Sequence, residues 1–232
     1  MSETTPEAKK FELTPSISII VAGVIIAGAI VFSNNQAKGG PAAVGAAPTP
    51  TVSNIRPPSV SDHVMGSITA PIVLVEYSDY QCPYCSMIYP TLKRIVSESN
   101  GQIAWVYRQF PLTSIHPQAA PAALASECVA EQLGNDGFWK FTDLLYANQS
   151  KLSADYYTQV ATQLGVDASK YATCVKENKY QSVIDRDTAE AQSSGGSGTP
   201  FTVVFNTKTN KAAPISGALP YAQIMSVINA VK

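Results

Sequence analysis

Residues 72–85 read IVLVEYSDYQCPYC, and this stretch decides the fold. Its opening half is an apolar run interrupted only by Glu76, the pattern of a buried strand. Cys82-Pro83-Tyr84-Cys85 follows, at the mouth of a run that reads as a helix. Pro83 suits the first helical turn, where an N–H would have had no partner. Cys82 therefore stands at the helix start, where unpaired N–H groups and the macrodipole favour negative charge. The thiolate is the attacking form of cysteine, so this position lowers the pKa and raises reactivity. Cys85, one turn on, is near enough to close a disulfide with Cys82, and the pair reads as a switchable dithiol. Metal sites use the same spacing. Zinc, however, asks for four ligands, and Cys128, Cys174, His63 and His116 are isolated from one another along the chain. The strand–CxxC–helix context favours redox chemistry, with no metal and no cofactor expected.

Outward from this stretch, Ile88, Leu92, Ile95 and Val96 recur at spacings that mark one apolar helix face, ended by Asn100-Gly101. Residues 103–110 (IAWVYRQF), aromatic and β-branched, predict a second strand. Strand, helix and strand with a short return make a βαβ unit with a right-handed crossover. A helical block follows. An Ala-rich helix over 119–133 stops at Gly134, and Phe138, Phe141 and Leu145 mark the next. A third helix, capped by Ser153 or Asp155, ends at Gly165, and a fourth, capped by Asp167, holds Tyr171, Cys174 and Val175. A longer helix runs to about Gln192, and SSGGSG at 193–198 breaks it. Strands at 201–205 and near 212–215, separated by a turn around 206–210, precede a closing helix over 220–231. The order is βαβ, a helical block, then ββα, an α/β chain. Trp105, Trp139 and His116 read as structural.

The chain has 232 residues, 45% of them hydrophobic, enough for one domain plus extras. A net charge of −1 gives no reason to expect a nucleic acid partner. Residues 16–32 (SISIIVAGVIIAGAIVF) carry no charge and would make a helix of roughly 25 Å, at the short end for a bilayer span. Lys9 and Lys10 before it support a cytoplasmic N-terminus. The reading is a cytoplasmic tail over 1–15, a transmembrane anchor (or signal peptide) over 16–33 and a flexible linker over 34–60. On either version the rest lies outside the cytoplasm, on the periplasmic or outer face, where disulfides persist.

EYSDYQCPYC at 76–85, YRQFPLTSIHPQA at 107–119 and GTPF at 198–201 together resemble the DsbA-like family of exported thiol-disulfide oxidoreductases. The resemblance covers roughly residues 60–232. It implies a thioredoxin-like fold with an inserted α-helical domain: first half 61–113, helical insertion 114–194, second half 195–232. It implies Cys82 as the exposed nucleophile, Cys85 as its partner and Pro200 as the cis-proline beside them, leaving the backbone of Thr199 to pair with an extended client. An ordinary trans turn is the other reading of Thr199-Pro200. Glu76 matches the family's buried acid, which relays the proton of the second cysteine. Burial among apolar neighbours should raise its pKa, unless it is a rim residue reaching water. Tyr84 departs from strong oxidants, which carry a histidine there, and so questions a very high reduction potential.

Cys128 and Cys174, both on the helical block, are expected to pair in an oxidising compartment and pin the first inserted helix to the fourth. That closure is worth about 4 kcal/mol in the chain-entropy model. A second redox pair is the alternative. The function expected is a membrane-tethered enzyme that introduces disulfides into unfolded or cysteine-containing exported proteins. The resemblance implies reoxidation by a quinone-linked membrane partner. A reductase or isomerase using the same cysteines, or a metal-binding or interaction module, are the competing readings.

Overall fold

The computed structural model describes residues 55–232. Its centre is strand β2 (Ile72–Ser78), every residue of which is buried. Strand β3 (Ile103–Gln109), equally buried, runs parallel to it with Glu76 opposite Tyr107. Burial on both faces explains why the two strands read as near-continuous apolar runs. Helix α1 (Pro83–Glu98) connects them and turns Cys85, Ile88, Tyr89, Leu92 and Ile95 inward. Asn100 and Gly101, at φ 49° and 78°, make the left-handed return into β3.

Helix α2 (Ala119–Ala147) bends where two helices are expected. Gly134, at φ 67° and ψ −161°, breaks it locally, and the helical path then resumes. The break crowds Gly137 onto Leu133, where an added Cβ would lie 2.2 Å from that of Leu133. Helix α3 (Ala154–Gln163) starts at Ser153, whose hydroxyl accepts from Tyr156 N. Helix α4 (Ala168–Lys176) starts at Asp167, whose carboxylate accepts from Ser169 N and Lys170 N. Helix α5 (Gln181–Ser193) leads to β4 (Phe201–Asn206), β5 (Ala212–Ser216) and α6 (Tyr221–Val231). β4 pairs antiparallel with both β2 and β5.

A fifth strand, β1 (His63–Met65), lies antiparallel to β3, and the sheet order is β1-β3-β2-β4-β5. Three residues are too short for any period to announce β1. The Asn135 side-chain amide holds it from outside, accepting from Val64 N at 2.9 Å and donating to Val64 O at 2.7 Å. That contact occupies an edge that would otherwise be open.

The strand period sorts the core into two layers. Ile72, Leu74, Trp105 and Tyr107 face α1, α2 and α6, together with Phe138, Phe141 and Ile228. Val73, Val75, Tyr77, Val106 and Phe201 face the other way, toward Ala191 of α5 and Ile55. The helical block thus shares its apolar cluster with the sheet. Cys128 on α2 and Cys174 on α4, 46 residues apart, form a disulfide with their Cα atoms 5.9 Å apart.

The linker reading needs correction at its end. Residues 55–60 do not all belong to a free tether: Ile55 is buried, and Arg56 bonds Asp62, Asp187 and Glu190. The physical reason is a buried guanidinium, Arg108, whose acidic partners also recruit Arg56. The expected tail, anchor and most of the linker lie outside the described residues. Among the described residues no helix is long and apolar enough to cross a membrane.

Candidate active site

Cys82 occupies the position before the first turn of α1, with extended backbone (φ −71°, ψ 123°), and Pro83 follows in the first turn. Three residues earlier, Asp79 shapes the approach. One carboxylate oxygen accepts from Gln81 N at 2.7 Å, the other from Leu112 N at 2.9 Å, and His116 Nδ1 sits 2.7 Å from the latter. Gln81 Oε1 accepts from Gln118 N at 2.7 Å, and Gln149 Nε2 donates to Tyr80 O and Cys82 O. The turn carrying Cys82 is thus tied to the loop after β3, to the start of α2 at Gln118 and to the turn just past its end at Gln149. Burying these polar groups is tolerable because each finds a partner.

The Thr199–Pro200 peptide bond is cis. Cys82 Sγ lies 3.3 Å from Thr199 O, which puts the backbone before Pro200 directly against the sulfur. Pro200 O in turn accepts from Gly217 N at 2.9 Å. Cys82 and Cys85 are both free thiols, whereas Cys128 and Cys174 are closed on each other. Tyr84 is 58% exposed, with Met87 and Ile115 similarly open, and these make an apolar rim on the α1 tip and the tied loop.

The two sulfurs are driven apart in acidity. The Cys85 thiol foremost, then the backbone N–H groups of Cys85 and Tyr84, support negative charge on Cys82 and outweigh burial. Its pKa falls from 9.0 to about 6. Cys85 is pushed well up, first by burial and then by Cys82 and Glu76. At neutral pH the pair is therefore one thiolate and one thiol. Tyr84 contributes through its backbone, and its exposed ring supplies no charge.

Beneath the pair lies Glu76, 1% exposed. Burial raises its pKa from 4.5 to about 8, partly offset by hydrogen bonding, while charge on Cys82 adds to the rise. Ser78 Oγ donates to Glu76 Oε1 at 2.9 Å, and Oε2 has no hydrogen-bond partner. Glu76 is thus a buried acid rather than a rim residue. Among the described residues no group of three or more His, Cys, Asp or Glu side chains gathers as metal ligands.

Cys82, Cys85, Glu76, Thr199 and Pro200 come together here, with Pro83 and Tyr84 in the first turn of α1. Sequence reasoning missed Ser78, Asp79, Gln81, Tyr146 and Gln149. Asp79 carried a readable signal, since an Asp two residues before a loop amide commonly makes an Asx turn. Tyr146 and Gln149 carried none, because they reach the site from 60 or more residues away.

Comparison with known proteins agrees with this geometry. A family model described as thioredoxin matches residues 59–225. DsbA2 of Pseudomonas aeruginosa superposes with a TM-score of 0.64 at 26% identity, over 75% of this chain and 96% of that one. Oxidised BdbD of Bacillus subtilis does so at 0.62 and 21% identity, over 78% and 95%. In sequence, a Na(+)/H(+) antiporter NhaA 3 of Salinispora tropica is 35% identical over 139 residues, 60% of this chain and 21% of the antiporter. The chain spans about a fifth of the length of such curated relatives.

Proposed function

We propose, for a chain that belongs to the thioredoxin family and within it to the DsbA-like proteins, that it introduces disulfides into exported proteins by exchange at Cys82 and Cys85. The observation that carries this is the acidified Cys82 sulfur set 3.3 Å from the carbonyl of Thr199, with a protonated Cys85 behind it.

In the oxidised enzyme a client thiolate attacks Cys82 Sγ. The Cys82–Cys85 bond breaks, its electron pair goes to Cys85, and Cys85 takes the proton of Glu76. A second client thiolate attacks the client sulfur of the mixed disulfide and expels Cys82 as thiolate. The client leaves oxidised and the enzyme reduced. A leaving group of low pKa speeds that last step. It also favours the oxidising direction. With its pKa at about 6 in the fold against 9.0 ordinarily, Cys82 stabilises the reduced protein fully above pH 9, and the gain is lost as pH falls through 6.

The apolar run at 16–32 supports a single membrane anchor, with the folded part on the extracytoplasmic side, and kinship with the DsbA-like proteins supports a quinone-linked membrane partner that reoxidises the dithiol. Cys85→Ala tests the exchange: expressed with its full N-terminus, it should accumulate mixed disulfides between Cys82 and exported proteins. No adducts would overturn the reading. A reduction potential near the roughly −270 mV of thioredoxin would instead reverse the direction to reductase.

A further inference from the structure

Glu76 is buried with no cation beside it. The groups that face it are Ser78 on β2, Trp105 and Tyr107 on β3, Thr202 opposite it on β4, Cys82 just before α1, Cys85 and Tyr89 on α1, and Tyr146 on α2. None is a lysine, arginine or histidine. What Glu76 has instead is a line of hydroxyls. Ser78 Oγ is 2.9 Å from Glu76 Oε1, Tyr146 Oη is 2.9 Å from Ser78 Oγ, and Tyr107 Oη is 3.1 Å from Tyr146 Oη. Ser78 and Glu76 share a face because they are two residues apart in a strand. Tyr146 arrives from the far end of α2, whose backbone also accepts from Ser86 of α1 at 3.4 Å.

We infer that Tyr146, acting through Ser78, is a positioning residue that controls the proton of Glu76 and so the reactivity of Cys85. This rests on the exchange reading above. Each hydroxyl has one donor and two acceptor sites. With Glu76 ionised, Tyr107 donates to Tyr146, Tyr146 to Ser78 and Ser78 to Oε1. With the proton on Oε1, the acid donates to Ser78 and the line turns over. Both states of the acid remain hydrogen-bonded, and no charge need be brought in. Tyr146→Phe keeps the ring that packs on Tyr80 and Tyr89 but cuts the line. Ser78 then loses the donor that supports its own donation, and the carboxylate is the form that suffers.

The test follows Cys85 displacing thionitrobenzoate from a preformed Cys82 adduct, in single turnover from pH 5 to pH 9. The proton of Cys85 must pass to Glu76, so the rate rises as Glu76 ionises. In Tyr146→Phe the midpoint should move up by about half to one unit, a rate about three- to tenfold lower at pH 7. The alkylation midpoint of Cys82 should stay put, because Glu76 is still protonated where Cys82 titrates. Ser78→Ala should move the first midpoint at least as far, and the double variant no further than Ser78→Ala. Tyr156→Phe removes a hydroxyl that bonds the α2 backbone at Leu144 O, 3.2 Å away, off the line, and should leave the midpoint unchanged. An unmoved midpoint in Tyr146→Phe, or an equal shift in Tyr156→Phe, overturns the role of Tyr146. If Tyr146→Phe does not fold, an unmoved midpoint in Ser78→Ala does the same. Failure of the unmutated protein to release thionitrobenzoate would instead sink the exchange reading itself.

Discussion

Glu76 and Tyr77 are neighbours in β2, yet they look into two buried environments that treat charge in opposite ways. On the Tyr77 face, Arg108 is fully buried but bonds Asp62 at 3.0 Å, Glu190, and the carbonyl of Arg56 at 2.9 Å. Tyr77 donates to Glu190 at 2.7 Å, and Arg56 reaches Asp62, Asp187 and Glu190. With Arg186 on Asp187, three guanidiniums meet three carboxylates. Burial would raise the pKa of Asp62, but Arg108 overrides it and holds the acid below its ordinary value, whereas at Asp187 burial still outweighs Arg56 and Arg186. On the Glu76 face, one carboxyl meets hydroxyls and aromatic rings. Desolvation is then unopposed by any cation, and the acid keeps its proton near neutrality. Compensated charge clasps the chain together; uncompensated charge moves a proton.

Arg108→Met should separate the two faces most sharply. It leaves Asp62 and Glu190 with only the partly exposed Arg56 as a cation, an imbalance that costs about 3–5 kcal/mol, read from the denaturant midpoint at pH 7. The alkylation midpoint of Cys82 should not move with it. A loss under about 1 kcal/mol would mean that the clasp is not what holds residues 55–62 and α5 to the sheet.

Glu76→Gln should act with the opposite sign. The raised pKa costs nothing below pH 4.5, where folded and unfolded forms are both protonated. The cost grows as pH rises and is complete above about 8, reaching a few kcal/mol. The variant should therefore gain on the parent between pH 5 and pH 8, by about 2–4 kcal/mol at the upper end, while exchange slows. Parallel stability–pH curves for the two proteins would contradict an uncompensated acid.

Arg56→Ala is the mildest of the three. Its side chain is 26% exposed, so water takes up part of what the carboxylates lose, and about 1–2 kcal/mol is expected. Limited proteolysis should show the segment before β1 released while the Cys82 chemistry persists.

How much of this was legible along the chain depends on how far apart the interacting residues lie. The apolar runs of β2 and β3, the inward face of α1, the break at Gly134 and the caps at Ser153 and Asp167 all depend on neighbours within a few residues. Periodicity and turn chemistry therefore exposed them. The DsbA-like resemblance carried the reading further, to Glu76 and Thr199-Pro200. It gave no sign of β1, and it did not reach Ile55 and Arg56, which composition assigned to a tether. Tertiary partners override composition there: Arg56 meets Glu190 across 134 positions.

The sequence by itself determined an α/β chain with a dithiol at a helix start, because strand burial, helix initiation and thiol reactivity are local physics; its resemblance to the DsbA-like family added the thioredoxin-type fold. Only the tertiary structure decided that Glu76 would have hydroxyls for company and Arg108 carboxylates. The alternation of β2 and β3 sends adjacent residues to opposite layers, and what waits in each layer comes from distant segments: Tyr146 from α2, 68 positions beyond Ser78, and Glu190 from α5, 82 beyond Arg108. Desolvation acts on both faces, so the partners that folding delivers settle why Asp62 becomes a strut and Glu76 a proton carrier.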